Sequence, residues 1–174
     1  MFCGNISNGK GVHILVDAVK ILFDRGVEVY LDIYGSAAMS SCDCDYEIKT
    51  KRNALGLRVV FHGAVGKERL YLEYSKHSLL VLPTELESFG LVLAEAQACG
   101  CIPVVHDCGG IDAAVIKGYK YKNNTPENLA DTIQGAMLTV KQSMRDYVMS
   151  ESKIRFDNKK TFDAVESIIK EVVA

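Results

Sequence analysis

The chain has 174 residues, of which 48% are hydrophobic and 24% are charged, enough for one well-buried core and few for two. Its formal net charge of −2 excludes the general attraction to nucleic acid or anionic lipid that clustered positive charge provides. We therefore expect a single domain over residues 1–174 with no nucleic-acid partner.

Short β-branched runs alternate along the chain with longer segments of helical period, a pattern typical of parallel strands joined by crossover helices. In chain order, strands are predicted at residues 1–3, 29–34, 58–61, 79–82, 102–105 and 119–122. Helices are predicted at residues 11–24, 45–55, 67–76, 91–98, 111–116, 126–140, 143–150 and 158–173, with Thr125 as the N-cap of the sixth.

The predicted strands are nearly continuous in apolar residues, which suits a sheet buried on both faces. The sequence thus predicts an α/β domain, a doubly wound, Rossmann-like parallel sheet of about six strands flanked by helices. Ligands of such sheets bind beyond the carboxyl ends of the strands, where the strand order reverses.

Neither the cysteines nor the amino terminus indicates an exported or metal-binding protein. No apolar run approaches the ~20 residues needed to cross a bilayer, and no secretory signal is recognisable. The two close cysteine pairs, Cys42 with Cys44 and Cys99 with Cys101, have one intervening residue, whereas structural zinc sites favour two to four. We expect a cytoplasmic chain with reduced thiols and no metal.

Residues 3–12 (CGNISNGKGV) end a predicted strand, form a glycine-containing loop and start a helix. Free N–H groups at a helix start favour an anion, and Lys10 would add a full positive charge there. The loop lacks both the Walker spacing and the three-glycine dinucleotide fingerprint. A phosphate site is one interpretation of this loop, and a solvated surface lysine is the other.

Residues 83–100 (PTELESFGLVLAEAQACG) give a stronger signal, because two glutamates, Glu87 and Glu95, have seven residues between them around a helix start. Four backbone amides there are predicted to be unpaired donors able to cradle a diphosphate, those of Ser88, Phe89, Gly90 and Leu91. The Glu95 side chain tilts back toward the helix N-terminus and suits ribose hydroxyls, and Glu87 suits the hydroxyls of a sugar. Alternatively, Glu87 stabilises the helix dipole and Glu95 is a solvated charge.

This segment resembles the signature of the retaining GT-B glycosyltransferases of the group-1, family-4 type, and in particular of their donor-binding C-terminal half. Further stretches agree in the family's order, namely residues 4–11, 31–35 (LDIYG), 60–63 (VFHG), 79–84 (LLVLPT) and 101–105 (CIPVV) followed by Gly109 and Gly110. The resemblance implies that Lys10 contacts the diphosphate, Glu87 the donor sugar, the amides after it the phosphates, and Glu95 the ribose. The loops after Gly35 and around Gly63 would lie near the nucleobase.

By the same resemblance, the parent enzyme transfers a sugar from a nucleotide diphosphate sugar to an acceptor hydroxyl with retention and without a metal, in polysaccharide, lipopolysaccharide or glycolipid synthesis. Lys10 and the helix amides would stabilise the leaving diphosphate, and Lys10 and Glu87 are the catalytic candidates. The family usually has an arginine where this chain has Asn5, so Lys10 acts alone there or another cation assists it.

The resemblance also implies an acceptor-binding N-terminal half upstream, without which the fragment should transfer little or nothing. Any association with a membrane surface would involve that half. The rival interpretations are a non-catalytic sugar-nucleotide-binding module, which Asn5 favours, and another GT-B enzyme such as an epimerase or a phosphorylase. The spacing of the two glutamates argues against both. We assign all four histidines to structure, with His62 the one to keep under consideration.

Overall fold

The computed structural model describes residues 1–37 and 41–157, which alternate between strands and helices. The strands within these ranges are β1 (Phe2–Cys3), β2 (Leu31–Tyr34), β3 (Val59–Gly63), β4 (Leu79–Leu82), β5 (Ile102–His106) and β6 (Tyr119–Tyr121). The α-helices are α1 (Val12–Asp24), α2 (Ser41–Asn53), α3 (Lys67–Lys76), α4 (Leu91–Ala98), α5 (Pro126–Thr139) and α6 (Gln142–Arg155). One 3₁₀ turn (Asn8–Lys10) precedes α1, and another (Ile111–Ala113) follows β5.

All strand pairs are parallel, in two groups ordered β1-β2-β3 and β4-β5-β6. Met1 joins the groups, because its carbonyl accepts from the Val81 N–H at 2.9 Å and its amino group donates to the Leu79 carbonyl at 2.8 Å. The strands therefore follow one another in space as 3-2-1-4-5-6, which is the doubly wound order. The predicted fold class is confirmed, and the order reverses between β1 and β4.

The helices bury apolar faces against this sheet and against one another. The buried residues of α1 recur at helical spacing, as an amphipathic helix requires, and include Leu15, Val19 and Leu22. This helix packs on α5, while α4 packs on α6. Thr125 caps α5 as predicted, since its hydroxyl accepts from the Asn128 N–H.

One predicted helix is wrong and another lies outside the described residues. The segment 111–116 contains a single 3₁₀ turn, because the buried side chain of Gln97 forms hydrogen bonds with the backbone groups of this segment. The Gln97 Oε1 accepts from the Ile116 N–H at 2.8 Å, and the Nε2 donates to the Ala114 carbonyl at 2.7 Å. The predicted helix at 158–173 falls outside the described residues.

Asp32 on β2 links three elements through its carboxylate. It accepts from His62 Nε2 of β3 at 2.5 Å and from His77 Nε2, at the end of α3, at 2.9 Å. Tyr34 stacks on the His62 ring with centroids 4.5 Å apart. Asp32 and Tyr34 thus fix the position of the His62 ring.

The thiols and the helices add two observations on the described parts of the chain. All six cysteines are free, and Cys101 and Cys108 are buried. No helix within residues 1–37 and 41–157 combines the length and the apolar character that crossing a membrane requires.

Candidate functional site

The loops that follow β1 and β4 meet where the strand order reverses. The carbonyl of Gly9 accepts from the Glu85 N–H at 3.0 Å and from the Thr84 hydroxyl at 3.2 Å. Gly11, with φ of +66°, lies so close to Pro83 that a Cβ would sit 2.1 Å from its carbonyl oxygen. Glycine is therefore required at position 11 for this approach.

Across this junction Lys10 and Glu87 form an ion pair. The Lys10 Nζ donates to Glu87 Oε2 at 2.7 Å, and the two side chains are 33% and 16% exposed. Lys10 reaches this position from the 3₁₀ turn before α1, and Glu87 from the loop before α4. The two residues predicted to carry the chemistry are thus in direct contact.

Both side chains line a cavity of about 510 Å³ at the carboxyl edge of β1 and β4. Its other lining residues are Phe2, Cys3, Gly4, Asn5, Leu82, Thr84, Ser88, Phe89, Gly90, Leu91 and Val92. Burial raises the pKa of the Cys3 thiol above its ordinary value, so this thiol is neutral near pH 7. Asn5, where the resemblance places an arginine, is exposed at the rim.

The start of α4 supplies hydrogen-bond donors to the same cavity. Gly90 precedes the helix in the left-handed conformation, with φ of +78°, and its carbonyl accepts from the Leu93 N–H at 2.8 Å. Within residues 1–37 and 41–157, the backbone amides of Ser88, Phe89, Gly90 and Leu91 donate no hydrogen bond. The segment predicted to hold an anion therefore has its N–H groups available.

The loop after β5 and the side chains of His106 and Asn124 contact the segment that leads to Glu87. A Cβ at Gly110 would lie 2.2 Å from the Glu87 carbonyl oxygen, and Gly110 has φ of +86°. His106 Nδ1 donates to the Thr84 carbonyl at 2.9 Å, and Asn124 Nδ2 donates to the Pro83 carbonyl at 3.0 Å. Sequence reasoning missed the supporting role of Asn124, for which no local pattern gives a signal.

Glu95 lies one turn into α4 and lines a second cavity of about 900 Å³, together with Lys67 and Tyr71. Phe89 and Leu91 line both cavities. The two spaces therefore adjoin across the start of α4, with Lys10 and Glu87 in the first and Glu95 in the second.

Gly35 and Gly63, expected near a nucleobase, lie together outside these two cavities. The Gly35 N–H, just beyond the end of β2, donates to the carbonyl of Gly63, the last residue of β3, at 2.8 Å. Among the residues that the structure describes, no group of three histidine, cysteine, aspartate or glutamate side chains is arranged to hold a metal ion.

The family model "Glycosyl transferases group 1" matches residues 1–138. The chain belongs to this family. The matched stretch contains both loops of the first cavity and all of α4.

Among curated members, a "D-inositol 3-phosphate glycosyltransferase" of Arthrobacter sp. (strain FB24) is 33% identical over 120 residues, which is 68% of this chain and 28% of that protein. The "Uncharacterized glycosyltransferase MJ1607" of Methanocaldococcus jannaschii is 26% identical over 178 residues, covering 99% of this chain and 43% of that protein. The chain thus spans less than half the length of these relatives.

Solved structures agree on the fold. "Anabaena Alr3699/HepE in complex with UDP and glucose" superposes with a TM-score of 0.81 at 22% identity, covering 97% of this chain and 47% of that one. The "pneumococcal O-GlcNAc transferase GtfA in complex with UDP and GlcNAc" gives a TM-score of 0.77 at 21% identity, with 99% and 35% covered.

Proposed function

We propose that this chain is the donor-binding domain of a retaining group 1 glycosyltransferase and that it binds a nucleotide diphosphate sugar at the start of α4. The observation that carries the proposal is one cavity, at the point where the strand order reverses, that is lined both by Lys10 and by residues 88–91, whose amides donate no hydrogen bond within the described part of the chain. A cation and free N–H groups at a helix N-terminus are the groups that hold a diphosphate.

In the proposed complex, the diphosphate lies in the first cavity against Lys10 and the amides of residues 88–91. The attached sugar donates hydroxyl hydrogen bonds to Glu87. The nucleoside extends over Phe89 and Leu91 into the second cavity, where the Glu95 carboxylate accepts from the ribose hydroxyls. The adjoining arrangement of the two cavities supports this path. The UDP and sugar named for the structural neighbours support the class of ligand.

For the reaction, Lys10 and the amides would stabilise the negative charge that develops on the leaving diphosphate, a fixed electrostatic environment that needs no metal. Because the matched relatives are longer, we propose that a second half outside these 174 residues binds the acceptor hydroxyl. We expect the chain alone to bind donor and transfer little.

Calorimetric titration of the chain with UDP, GDP and ADP and their glucose conjugates tests the proposal. We expect saturable binding within one base series. Circular dichroism establishes that the protein is folded under the same conditions. A folded chain that gives no heat with any of these ligands would exclude the donor site.

A further inference from the structure

The charges of the side chains that line the first cavity cancel, although an anion is proposed to bind there. Of the described side chains that line it, Lys10 is the one cation and Glu87 the one carboxylate. Their contact at 2.7 Å, with Glu87 only 16% exposed, places a negative charge beside the Nζ that would face a phosphate. A ligand must therefore compete with Glu87 for Lys10 and must tolerate the carboxylate.

A nucleotide sugar and a free nucleoside diphosphate, the two ligands considered for this site, differ in charge at the terminal phosphate. In a nucleotide sugar the terminal phosphate is esterified by the sugar and has one negative charge. In the free nucleoside diphosphate it is unesterified, and its second ionisation has a pKa of about 6, so at pH 7.5 it carries about one more negative charge. The extra charge lies on the phosphate to which the sugar had been attached.

Glu87 interacts unfavourably with the terminal phosphate of the free nucleoside diphosphate and favourably with the sugar of the nucleotide sugar. A carboxylate repels the added charge of the unesterified phosphate, and this repulsion is weakly screened because the carboxylate is mostly buried. The same carboxylate can accept hydrogen bonds from the hydroxyls of a sugar, which stabilise it. One side chain thereby disfavours one ligand and favours the other.

We propose that Glu87 is a specificity residue that makes the cavity reject the free nucleoside diphosphate relative to the nucleotide sugar. The inference rests on the proposed donor site and assigns to Glu87 a function beyond contact with the sugar. It would limit occupation of the site by the nucleoside diphosphate that remains after transfer.

The test compares the chain with its Glu87→Gln variant against three ligands of the base series that binds. For uridine these are UDP, the methyl ester of UDP at its terminal phosphate, and UDP-glucose. The methyl ester has the charge of the nucleotide sugar but lacks the sugar hydroxyls. In the variant we expect the affinity for UDP to rise about tenfold more than that for the methyl ester, a difference of 1.4 kcal/mol, while UDP-glucose binds more weakly.

Glu85→Gln is the matched control, because Glu85 is an exposed carboxylate two residues earlier that does not line the cavity. We expect it to change all three affinities equally and by less than about twofold. If Glu87→Gln shifts all three affinities by the same factor, Glu87 does not discriminate among these ligands and the proposal is overturned.

Lys10→Gln combined with Glu87→Gln separates direct repulsion from the release of Lys10. Relative to Lys10→Gln alone, the double variant should still gain UDP affinity over the methyl ester; loss of that gain would overturn the proposal. A folded chain that binds no ligand of any base series instead refutes the donor site itself, so the two failures are distinguishable.

Discussion

Gly110 lies against the peptide carbonyl of Glu87, so that a Cβ at this glycine would sit 2.2 Å from the carbonyl oxygen. The glycine also has φ of +86°, a conformation that costs other residues ~1–3 kcal/mol. The loop after β5 thereby sets the position of the loop that carries Glu87.

Substituting Gly110→Ala should therefore displace the Glu87 loop. We expect a loss of ~1–3 kcal/mol in the free energy of unfolding, measured by urea denaturation, together with weaker nucleotide binding. Gly109→Ala is the matched control, because a Cβ there meets nothing within 4 Å and should change stability by less than ~0.5 kcal/mol. Equal effects from the two substitutions would contradict the close approach.

Lys10→Gln should weaken binding of both a nucleoside diphosphate and its sugar conjugate. A hydrogen bond to a charged group contributes ~1.5–3 kcal/mol, which corresponds to about ten- to hundredfold in affinity. Isothermal titration calorimetry measures the change. Lys20→Gln removes the same charge from an exposed position on α1 and should leave affinity within about twofold. Similar losses from both variants would indicate a general charge effect instead of a contact at Lys10.

Glu95→Gln should weaken binding only where the ligand has ribose hydroxyls. For the nucleoside diphosphate that binds, we expect a loss of about tenfold, and for its 2′,3′-dideoxy analogue a loss of less than about twofold. Glu127→Gln on the exposed start of α5 controls for the removed charge. An equal loss for ribose and dideoxyribose ligands would place Glu95 elsewhere than at the ribose.

Local pattern sufficed for most of the fold. The bounds of α3, β4 and α4 agree with the prediction residue for residue, because apolar runs and helical period are properties of the sequence near each residue. The predicted helix at 111–116 was wrong because the Gln97 side chain, 17 and 19 positions earlier along the chain, binds its backbone groups. A short stretch of sequence around residues 111–116 does not include Gln97, so the local pattern could not indicate these hydrogen bonds.

The sequence indicated which residues form the candidate site, but it gave less information on the contacts between them. The helix start and the two glutamates marked the loop, since free amides and a carboxylate one turn later follow from helix geometry. The contact between Lys10 and Glu87 joins positions 77 apart, and the close approach of Gly110 depends on how two loops pack. Such relationships are set by the tertiary fold.

Gln97→Leu should destabilise the turn after β5. The side chain is fully buried, and its removal leaves the Ile116 N–H and the Ala114 carbonyl without their partners. We expect a loss of ~1–3 kcal/mol in the free energy of unfolding and faster amide hydrogen exchange at Ile116. Gln142→Leu, at an exposed position on α6, should cost less than ~0.5 kcal/mol. Unchanged exchange at Ile116 would show that another group satisfies this amide.

Asp32→Asn should reduce stability at neutral pH and lose its effect in acid. Burial raises the pKa of Asp32, but hydrogen bonds from His62 and His77 more than offset this, so the pKa lies below its ordinary value of 3.8. A group with a depressed folded pKa stabilises the protein above its unfolded pKa, and that stabilisation is lost as the pH falls through the folded value.

For Asp32→Asn we therefore expect a deficit of ~1–3 kcal/mol at pH 7, measured by urea denaturation between pH 2.5 and 7. The deficit should begin to shrink near pH 4 and continue to shrink below 3.8 as the wild-type carboxyl takes up its proton. Asp131→Asn removes an exposed carboxylate paired with Arg25 and should cost less than ~0.5 kcal/mol throughout. A deficit for Asp32→Asn that stays constant across this range would mean that the neutral carboxyl holds the two histidines as well as the carboxylate does.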